Sequence, residues 1–161
     1  DVASKFPDWD LVILGEGPER DQLERKVSGL GLQDRVYFPG HVGNVSDWYF
    51  CADAYVMYAH FEGFPNSLLE AMAHGVPVIS ADCDTGPKEI ITEGIDGLLV
   101  DTLGVRSELA LAMEKIFQDP IFSRSLGQAA TGVRKRFSMD TIGSEWDNLI
   151  ELHTSWSNDE K

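Results

Sequence analysis

The chain has 161 residues, of which 43% are hydrophobic, and a formal net charge of −14 at pH 7. This length and hydrophobic content indicate one globular domain with a single core, and exclude a disordered chain. The charge argues against tight binding to nucleic acid or anionic lipid, because both depend on basic side chains, so an anionic ligand needs a locally favourable pocket.

Short apolar runs alternate along the chain with stretches of helical spacing, which predicts an α/β fold with a doubly wound, Rossmann-like parallel sheet. Five strands are predicted, several of them continuously apolar, as in strands that are buried on both faces of such a sheet. They are Leu11–Leu14, Val36–Phe38, Ala54–Tyr58, Val76–Ser80 and Gly97–Val100.

Helices are predicted in the gaps between the strands, with Gly31, Gly75 and Gly94 as C-terminal stops. They are Glu19–Leu30, Val45–Cys51, Asn66–His74, Pro87–Thr92, Arg106–Gln118, Ile121–Arg136 and Met139–Thr154. The last of them carries a stripe of apolar residues at helical spacing. The favoured interpretation is a stripe that faces the core of this domain, and the alternative is a strap to a neighbouring domain.

The turn after the first predicted strand resembles a dinucleotide-binding turn, because Gly15 and Gly17 stand between a strand and a helix. However, Arg20 stands where the third glycine of that fingerprint belongs, so the fingerprint fails. Two interpretations remain open. The segment is a tight turn with Pro18 at the first helical position, or its backbone approaches a ligand closely.

The strongest functional signal is the loop between the third strand and its helix, which is flanked by Glu62 and Glu70 with seven residues between them. Gly63 lets a ligand approach the backbone, Pro65 presets the helix start, and the next amides are expected to lack partners within the helix. Such a helix N-terminus favours an anion. Asn66, Glu70 and His74 are predicted on one face of this helix, and Leu68, Ala71 and Met72 on the opposite, sheet-facing side.

Carboxylates accept hydrogen bonds only, so Glu70 can take two from a ribose diol and Glu62 can bind sugar hydroxyls. The plain alternatives are complementation of the helix dipole and a solvated loop acid. The loop and helix start at Gly86–Glu89 are predicted to line the same sheet edge. There Lys88 either meets a phosphate or is a surface lysine, the latter being favoured.

Metal and hydrolytic chemistry have weak support in the sequence. Asp82 and Asp84 lack further ligands and are interpreted as turn-capping acids. Cys51 and Cys83 lack a CxxC spacing and are predicted to be reduced thiols of a cytoplasmic protein. The first residues, DVASKFPDWD, have neither the basic start nor the apolar core of a secretory signal.

The run EGFPNSLLEAMAHGVPVIS, with GEGPER before it and GPKEI and GLLV after it, resembles the carboxy-terminal half of family-four retaining glycosyltransferases. The resemblance implies a GT-B architecture with a donor-binding C-terminal domain, and no metal or other cofactor. It implies that Glu62 contacts the donor sugar as the catalytic-site acid and that Glu70 contacts the ribose. It implies that the backbone segment from Gly63 to Leu68 contacts the sugar and the distal phosphate. The donor-binding residues of this segment are Gly63, Phe64, Pro65, Asn66, Ser67 and Leu68.

The same resemblance implies that the chain is a fragment. The family's first strand, its arginine and lysine for the diphosphate, and the acceptor-binding N-terminal domain are expected upstream. The fragment is then expected to have a sheet gap or an exposed edge between the strands near Val12 and Tyr55, and reduced stability. Partners are then a nucleotide-sugar donor and a glycan or lipid-linked acceptor, with the protein cytoplasmic or at the inner membrane face through the missing domain.

The leading hypothesis is therefore the donor-binding domain of a retaining, hexosyltransferase-like enzyme that is inactive as this chain alone. Two alternatives stay open. One is a nucleotide-sugar epimerase of the same architecture, and the other is a non-catalytic module that binds a nucleotide or a sugar.

Overall fold

The computed structural model describes residues 2–101 and 107–156. Its contacts divide the chain into two compact units, Asp1–Cys51 and Ala52–Lys161. The described strands are all parallel and form a two-stranded sheet in the first unit and a three-stranded sheet in the second. The predicted α/β class with parallel strands is thereby confirmed. Within the described part of the chain, every helix is too short or too polar to cross a membrane.

The first unit alternates helices and strands. Its elements are α1 (Val2–Lys5), β1 (Leu11–Leu14), α2 (Arg20–Gly29), β2 (Val36–Gly40) and α3 (Val45–Cys51). Arg35 restrains the entry to β1, because its guanidinium pairs with Asp10 at 2.7 Å and also donates to the carbonyl oxygens of Phe6 and Trp9. A single cation therefore satisfies oxygens on three residues just before the strand.

Strand β1 is less buried than its apolar sequence predicts. Leu11 is 47% exposed and Val12 is 40% exposed. The prediction that the apolar runs are buried on both faces of a sheet is therefore wrong for β1. In the second unit it is right for β4 (Val78–Asp82), whose first four residues are buried.

Pro18 does not occupy the first helical position of α2, contrary to prediction. The amide of Arg20 donates to the carbonyl of Gly17 at 3.2 Å, so Pro18 lies inside a turn that precedes the helix. Proline suits the second position of such a turn because its φ is already near the required value. The end of α2 follows prediction, since Gly31 has a φ of +68°.

The second unit contains the remaining elements around a parallel sheet of order β3-β4-β5. In chain order they are β3 (Tyr55–Met57), α4 (Asn66–Ala73), β4, α5 (Pro87–Ile90), β5 (Leu98–Asp101), α6 (Ser107–Gln118), α7 (Pro120–Ala130), α8 (Val133–Arg136) and α9 (Met139–Trp156). Arg106, predicted to start α6, lies outside the described residues. A buried cluster forms the core, and its members are Ile79, Leu98, Val100, Ile116 and Leu126.

Strand β4 begins two residues later than predicted, for a reason of backbone chemistry. Gly75 has a φ of +78° and ends α4, and the amide of Val76 donates to the carbonyl of Ala71 at 3.1 Å. Pro77 has no N–H to give to a strand ladder. Regular pairing therefore starts at Val78, which pairs with Tyr55.

The predicted helix Ile121–Arg136 is two helices in the structure. Asp119 caps α7, its carboxylate accepting from the amides of Ile121 and Phe122 at 3.1 and 2.9 Å. The helix ends at Ala130, and the Thr131 hydroxyl donates to the carbonyl of Gln128 at 2.8 Å. A hydroxyl that bonds locally to backbone competes with helix propagation, so α8 starts afresh after Gly132.

The apolar stripe of α9 does not face the core. Trp146 is 61% exposed and Leu149 is 49% exposed, and the rest of the described second half of the helix is exposed as well. The favoured interpretation of a core-facing stripe is therefore wrong, because the sequence pattern records that a face is apolar and not what covers it.

Gly127 gives a sharp test of the packing of α7 on the end of α4. A Cβ built on Gly127 overlaps the carbonyl oxygen of Gly75 and lies 3.3 Å from Pro77 Cδ. We expect Gly127→Ala to lower the free energy of unfolding by about 1–3 kcal/mol, because backbone atoms cannot move aside cheaply. Urea denaturation measures the change.

Gly143→Ala in α9 is the matched control, since among the described residues no heavy atom lies within 4 Å of a Cβ at Gly143. There alanine removes the entropic cost of glycine in a helix, and we expect a gain of about 0.5–1 kcal/mol. Equal effects of the two substitutions would contradict the packing described.

Candidate functional site

The loop from Glu62 to Pro65 leads directly into α4 in the second unit. Pro65 is the N-cap residue and is fully buried, and its carbonyl accepts from the amides of Leu68 and Leu69 at 3.1 and 3.2 Å. Asn66 donates its amide to the carbonyl of Phe64 at 3.0 Å. The helix therefore begins at Asn66, as predicted.

These contacts correct one part of the predicted anion site. The first amides were expected to lack partners within the helix. Asn66 fits, because it donates to Phe64, which precedes the helix, whereas Leu68 donates to the N-cap residue Pro65, so the expectation is wrong for Leu68. The reason is that a proline cap has no side-chain acceptor, so backbone carbonyls close the first turn instead. The anion-binding capacity of this helix start rests on its dipole and on the other amides of the loop.

Helix α4 has the two predicted faces. Leu68, Ala71 and Met72 are fully buried against the sheet side, whereas Glu70 and His74 are exposed with Asn66 and Ser67. Glu62 is half-buried and Phe64 is half-exposed. The two acids thus differ in environment, because one lies in the loop and the other on the open face of the helix.

Tyr55 lies close to both acids, and sequence reasoning missed it. Its hydroxyl donates to Ser67 Oγ at 2.8 Å. Burial raises the pKa of Tyr55, the charges of Glu62 and Glu70 raise it further, and the contact with Ser67 acts in the opposite direction. The phenol is therefore a neutral donor at the start of α4. An aromatic residue in an apolar run normally indicates core packing, so the sequence carried no separate signal for it.

A second loop, which follows β4, contacts the Glu62 loop. The Thr85 hydroxyl donates to the carbonyl of Glu62 at 2.6 Å. Gly86 has a φ of +95°, and a Cβ on it would lie 2.7 Å from Pro65 Cδ and 3.2 Å from the Gly63 carbonyl oxygen. The prediction that the Gly86–Glu89 segment lines the same sheet edge as the acids is therefore confirmed.

Lys88, Asp82 and Asp84 are exposed beside this second loop. The described contacts do not distinguish a phosphate-binding Lys88 from a surface lysine. Its role therefore stays a prediction. Among the described residues, no group of three His, Cys, Asp or Glu side chains could hold a metal ion. Independence of metal also stays a prediction. Cys51 and Cys83 are free thiols, as expected.

Phe64, in the loop that carries Glu62, contacts the segment that follows α7. The rings of Phe64 and Phe137 meet edge to face with centroids 6.0 Å apart. Arg136 donates to the carbonyl of Ile90 at 2.8 Å and pairs with the buried Asp96 at 2.9 Å. These contacts connect α8 to the turn after α5 and restrain Phe137 beside the candidate site.

Gly15 and Gly17 lie in the first unit. Gly15 has a φ of +104° and donates its amide to the carbonyl of Gly40 at 2.9 Å. Arg20 pairs with Glu16 and Glu24 and donates to the carbonyl of Phe38 at 2.8 Å. The residue that replaces the third glycine thus stabilises the turn, and a donor-binding role for the two glycines stays a prediction.

Comparison with known proteins assigns the family. The family model described as glycosyl transferases group 1 matches residues 1–133. The chain is a group 1 glycosyl transferase by family. The resemblance recognised in the sequence is confirmed by this match.

Individual relatives of this group 1 glycosyl transferase cover most of the chain. It is 39% identical over 145 residues to an exopolysaccharide phosphotransferase of Streptomyces coelicolor, covering 89% of the chain and 15% of the relative. It is 36% identical over 144 residues to an α-1,4-N-acetyl-D-galactosaminyltransferase of Campylobacter jejuni that acts on an undecaprenol-linked glycan, covering 88% and 39%.

Structural comparison supports the same family. The C-terminal domain of a group 1 glycosyl transferase from Francisella tularensis superimposes with a TM-score of 0.75 at 28% identity, covering 84% of this chain and 73% of that one. The fold is that of the C-terminal half of a GT-B protein, as predicted. The chain spans 15–42% of the length of the curated relatives it matches.

The raised pKa of Tyr55 yields a test of the burial of its hydroxyl in the presence of the two acidic charges. Because its folded-state pKa is raised, the group contributes stability below its unfolded pKa of about 10, and this contribution is lost as the pH rises through the folded value. We expect the stability of wild type relative to Tyr55→Phe to decrease as the pH rises above about 10.

Urea unfolding of both proteins at a series of pH values measures that difference. Phenylalanine keeps the ring and removes the titrating hydroxyl, so the variant serves as its own packing control. A difference that is constant from pH 8 to pH 11 would count against a buried phenol with a raised pKa.

Proposed function

We propose that the chain is the nucleotide-sugar donor-binding domain of a retaining glycosyltransferase that transfers a hexose-type sugar to a glycan or lipid-linked acceptor. The observation that carries the proposal is the placement of Glu62 in a strand-to-helix loop and of Glu70 on the exposed face of the helix that follows, at an edge where two loops after parallel strands meet. Open α/β sheets bind ligands at the carboxyl ends of their strands.

Each acid has a distinct proposed role. The exposed Glu70 accepts hydrogen bonds from the two ribose hydroxyls, because a carboxylate has two oxygens that can accept in parallel. The half-buried Glu62 accepts from hydroxyls of the donor sugar and lies nearest to the reacting bond. Both roles use residues that the sequence resemblance indicated, and Tyr55 adds a neutral hydroxyl beside them.

The diphosphate is proposed to lie at the N-terminus of α4. Aligned peptide dipoles place partial positive charge there, which matters in a chain with a net charge of −14. Developing negative charge on the leaving diphosphate is stabilised by such fixed dipoles and by cations. The acceptor would then attack on the face from which the diphosphate departs, without a metal ion.

The relatives support sugar transfer at the level of the family and differ in the substrates that their names give. Because the chain spans less than half the length of these relatives, transfer activity is proposed for the whole protein. Phosphotransfer, the activity in the name of the Streptomyces coelicolor relative, is a weaker alternative. The chain spans only 15% of that relative, so the name describes a much longer protein.

The first test is calorimetric titration of the chain with UDP, GDP and ADP and with UDP-glucose, GDP-mannose and ADP-glucose. We expect one nucleotide to bind and Glu70→Gln to weaken its binding by ~10- to 100-fold, because two hydrogen bonds to a charged acceptor become weaker or are lost. The nucleotide that binds identifies the class of donor.

Glu145→Gln is the matched control, because it removes the same charge from an exposed position on α9. Its affinity should equal that of wild type. If a demonstrably folded chain binds none of these nucleotides, or if the two substitutions have equal effects, the proposed donor site is wrong.

A further inference from the structure

Glu62 lies in a backbone segment that has little to restrain it locally. Phe61, which precedes it, is 88% exposed and so contributes little packing. Gly63 follows it, and none of the described residues places a heavy atom within 4 Å of a Cβ built on Gly63. A peptide unit beside an uncrowded glycine can rotate at small cost. The direction of the Glu62 side chain therefore needs a contact from elsewhere in the fold.

Thr85 supplies such a contact from the loop after β4. Its hydroxyl donates to the carbonyl of Glu62 at 2.6 Å, across 23 residues of sequence. That carbonyl belongs to the peptide unit between Glu62 and Gly63, which adjoins the uncrowded glycine. Fixing the carbonyl restrains the ψ torsion of Glu62. It thereby restrains the direction of the Cα–Cβ bond of Glu62 relative to the rest of the loop.

The loop that carries Thr85 is itself restrained. Gly86 adopts a φ of +95° and packs on the Pro65 ring and the Gly63 carbonyl so closely that a Cβ would approach them to 2.7 and 3.2 Å. Pro65 in turn is fully buried at the start of α4. The residue after Thr85 is thus packed against the buried Pro65, which gives the Thr85 hydroxyl the support that a positioning group requires.

The other end of the same loop has a separate contact. Tyr55 on β3 donates to Ser67 Oγ at 2.8 Å, in the first turn of α4. Under the proposed function this end lies with the nucleotide and diphosphate, whereas Glu62 lies with the sugar. The two hydroxyl contacts therefore act on different parts of one donor molecule.

We propose that Thr85 is a positioning residue that directs Glu62 toward the donor sugar, and so determines how strongly the sugar part of the donor contributes to binding. The inference rests on the proposed function and extends it to a residue that does not touch the donor through its own side chain. It predicts a selective effect: loss of the Thr85 hydroxyl weakens recognition of the sugar and leaves recognition of the nucleotide largely intact.

The main experiment compares Thr85→Val, Thr85→Ser and Tyr55→Phe. Calorimetry gives the affinity for the nucleoside diphosphate that binds and for its hexose conjugate, drawn from UDP, GDP, ADP, UDP-glucose, GDP-mannose and ADP-glucose. In Thr85→Val the ratio of conjugate to diphosphate affinity should fall ~3- to 10-fold, the usual effect of one hydrogen bond. Thr85→Ser keeps the hydroxyl and should restore the ratio.

Tyr55→Phe is the control for a general disturbance of the loop. It should lower both affinities by a similar factor and leave their ratio unchanged. If Thr85→Val also lowers both affinities equally, Thr85 has a structural role without selectivity for the sugar, and the proposal is overturned.

A double-mutant cycle tests whether Thr85 acts through Glu62. Glu62→Gln alone should lower the affinity ratio, and Thr85→Val in that background should lower it no further, because the two residues act as one unit. Additive effects would show that Thr85 contributes independently of Glu62 and would contradict the proposal.

Amide hydrogen exchange of the ligand-free chain separates this inference from the proposed function. Exchange in the segment 61–64 should be faster in Thr85→Val than in wild type or Thr85→Ser, while exchange in β4 stays the same. If no nucleotide binds, the proposed function fails, and exchange alone decides whether Thr85 restrains the loop. Unchanged exchange in that segment would overturn the positioning role whatever binds.

Discussion

Parallel pairing of β3 with β4 is the constraint on which the candidate site depends. Parallel strands end at the same edge of a sheet, so the loops that follow them are brought side by side although 23 residues separate Glu62 from Thr85. An antiparallel arrangement would have placed these loops at opposite edges. The contacts of Gly86 with Pro65 and of Thr85 with Glu62 follow from this pairing.

The site combines a buried helix start with an exposed loop. Buried apolar residues of α4 attach the helix to the sheet, and a buried proline sets the point where the helix begins. By contrast, the segment around Gly63 is open. Such a division suits a site for a sugar nucleotide, because the phosphate end needs fixed dipoles and the sugar end needs side chains in a defined direction.

Sequence reasoning succeeded where a residue's effect is local. Glycines with positive φ ended α2 and α4 at the predicted places, and the apolar pattern of α4 identified its buried face. It was wrong where two local preferences competed. Thr131 interrupted a long helical pattern, and Pro18 served a turn in place of a helix start. At Thr131 a hydroxyl bond to nearby backbone opposed the helical pattern, and at Pro18 a backbone turn bond between Arg20 and Gly17 placed the proline before the helix.

The sequence by itself determined the α/β class, the family resemblance and the two acids, because periodicity, turn chemistry and motif spacing are properties of neighbouring residues. Only the tertiary structure showed that Tyr55 contacts Ser67 at the start of α4, that Thr85 contacts Glu62, and that the apolar stripe of α9 is exposed. These facts depend on residues far apart in the chain, and pairing of strands and packing of helices decide which of them meet.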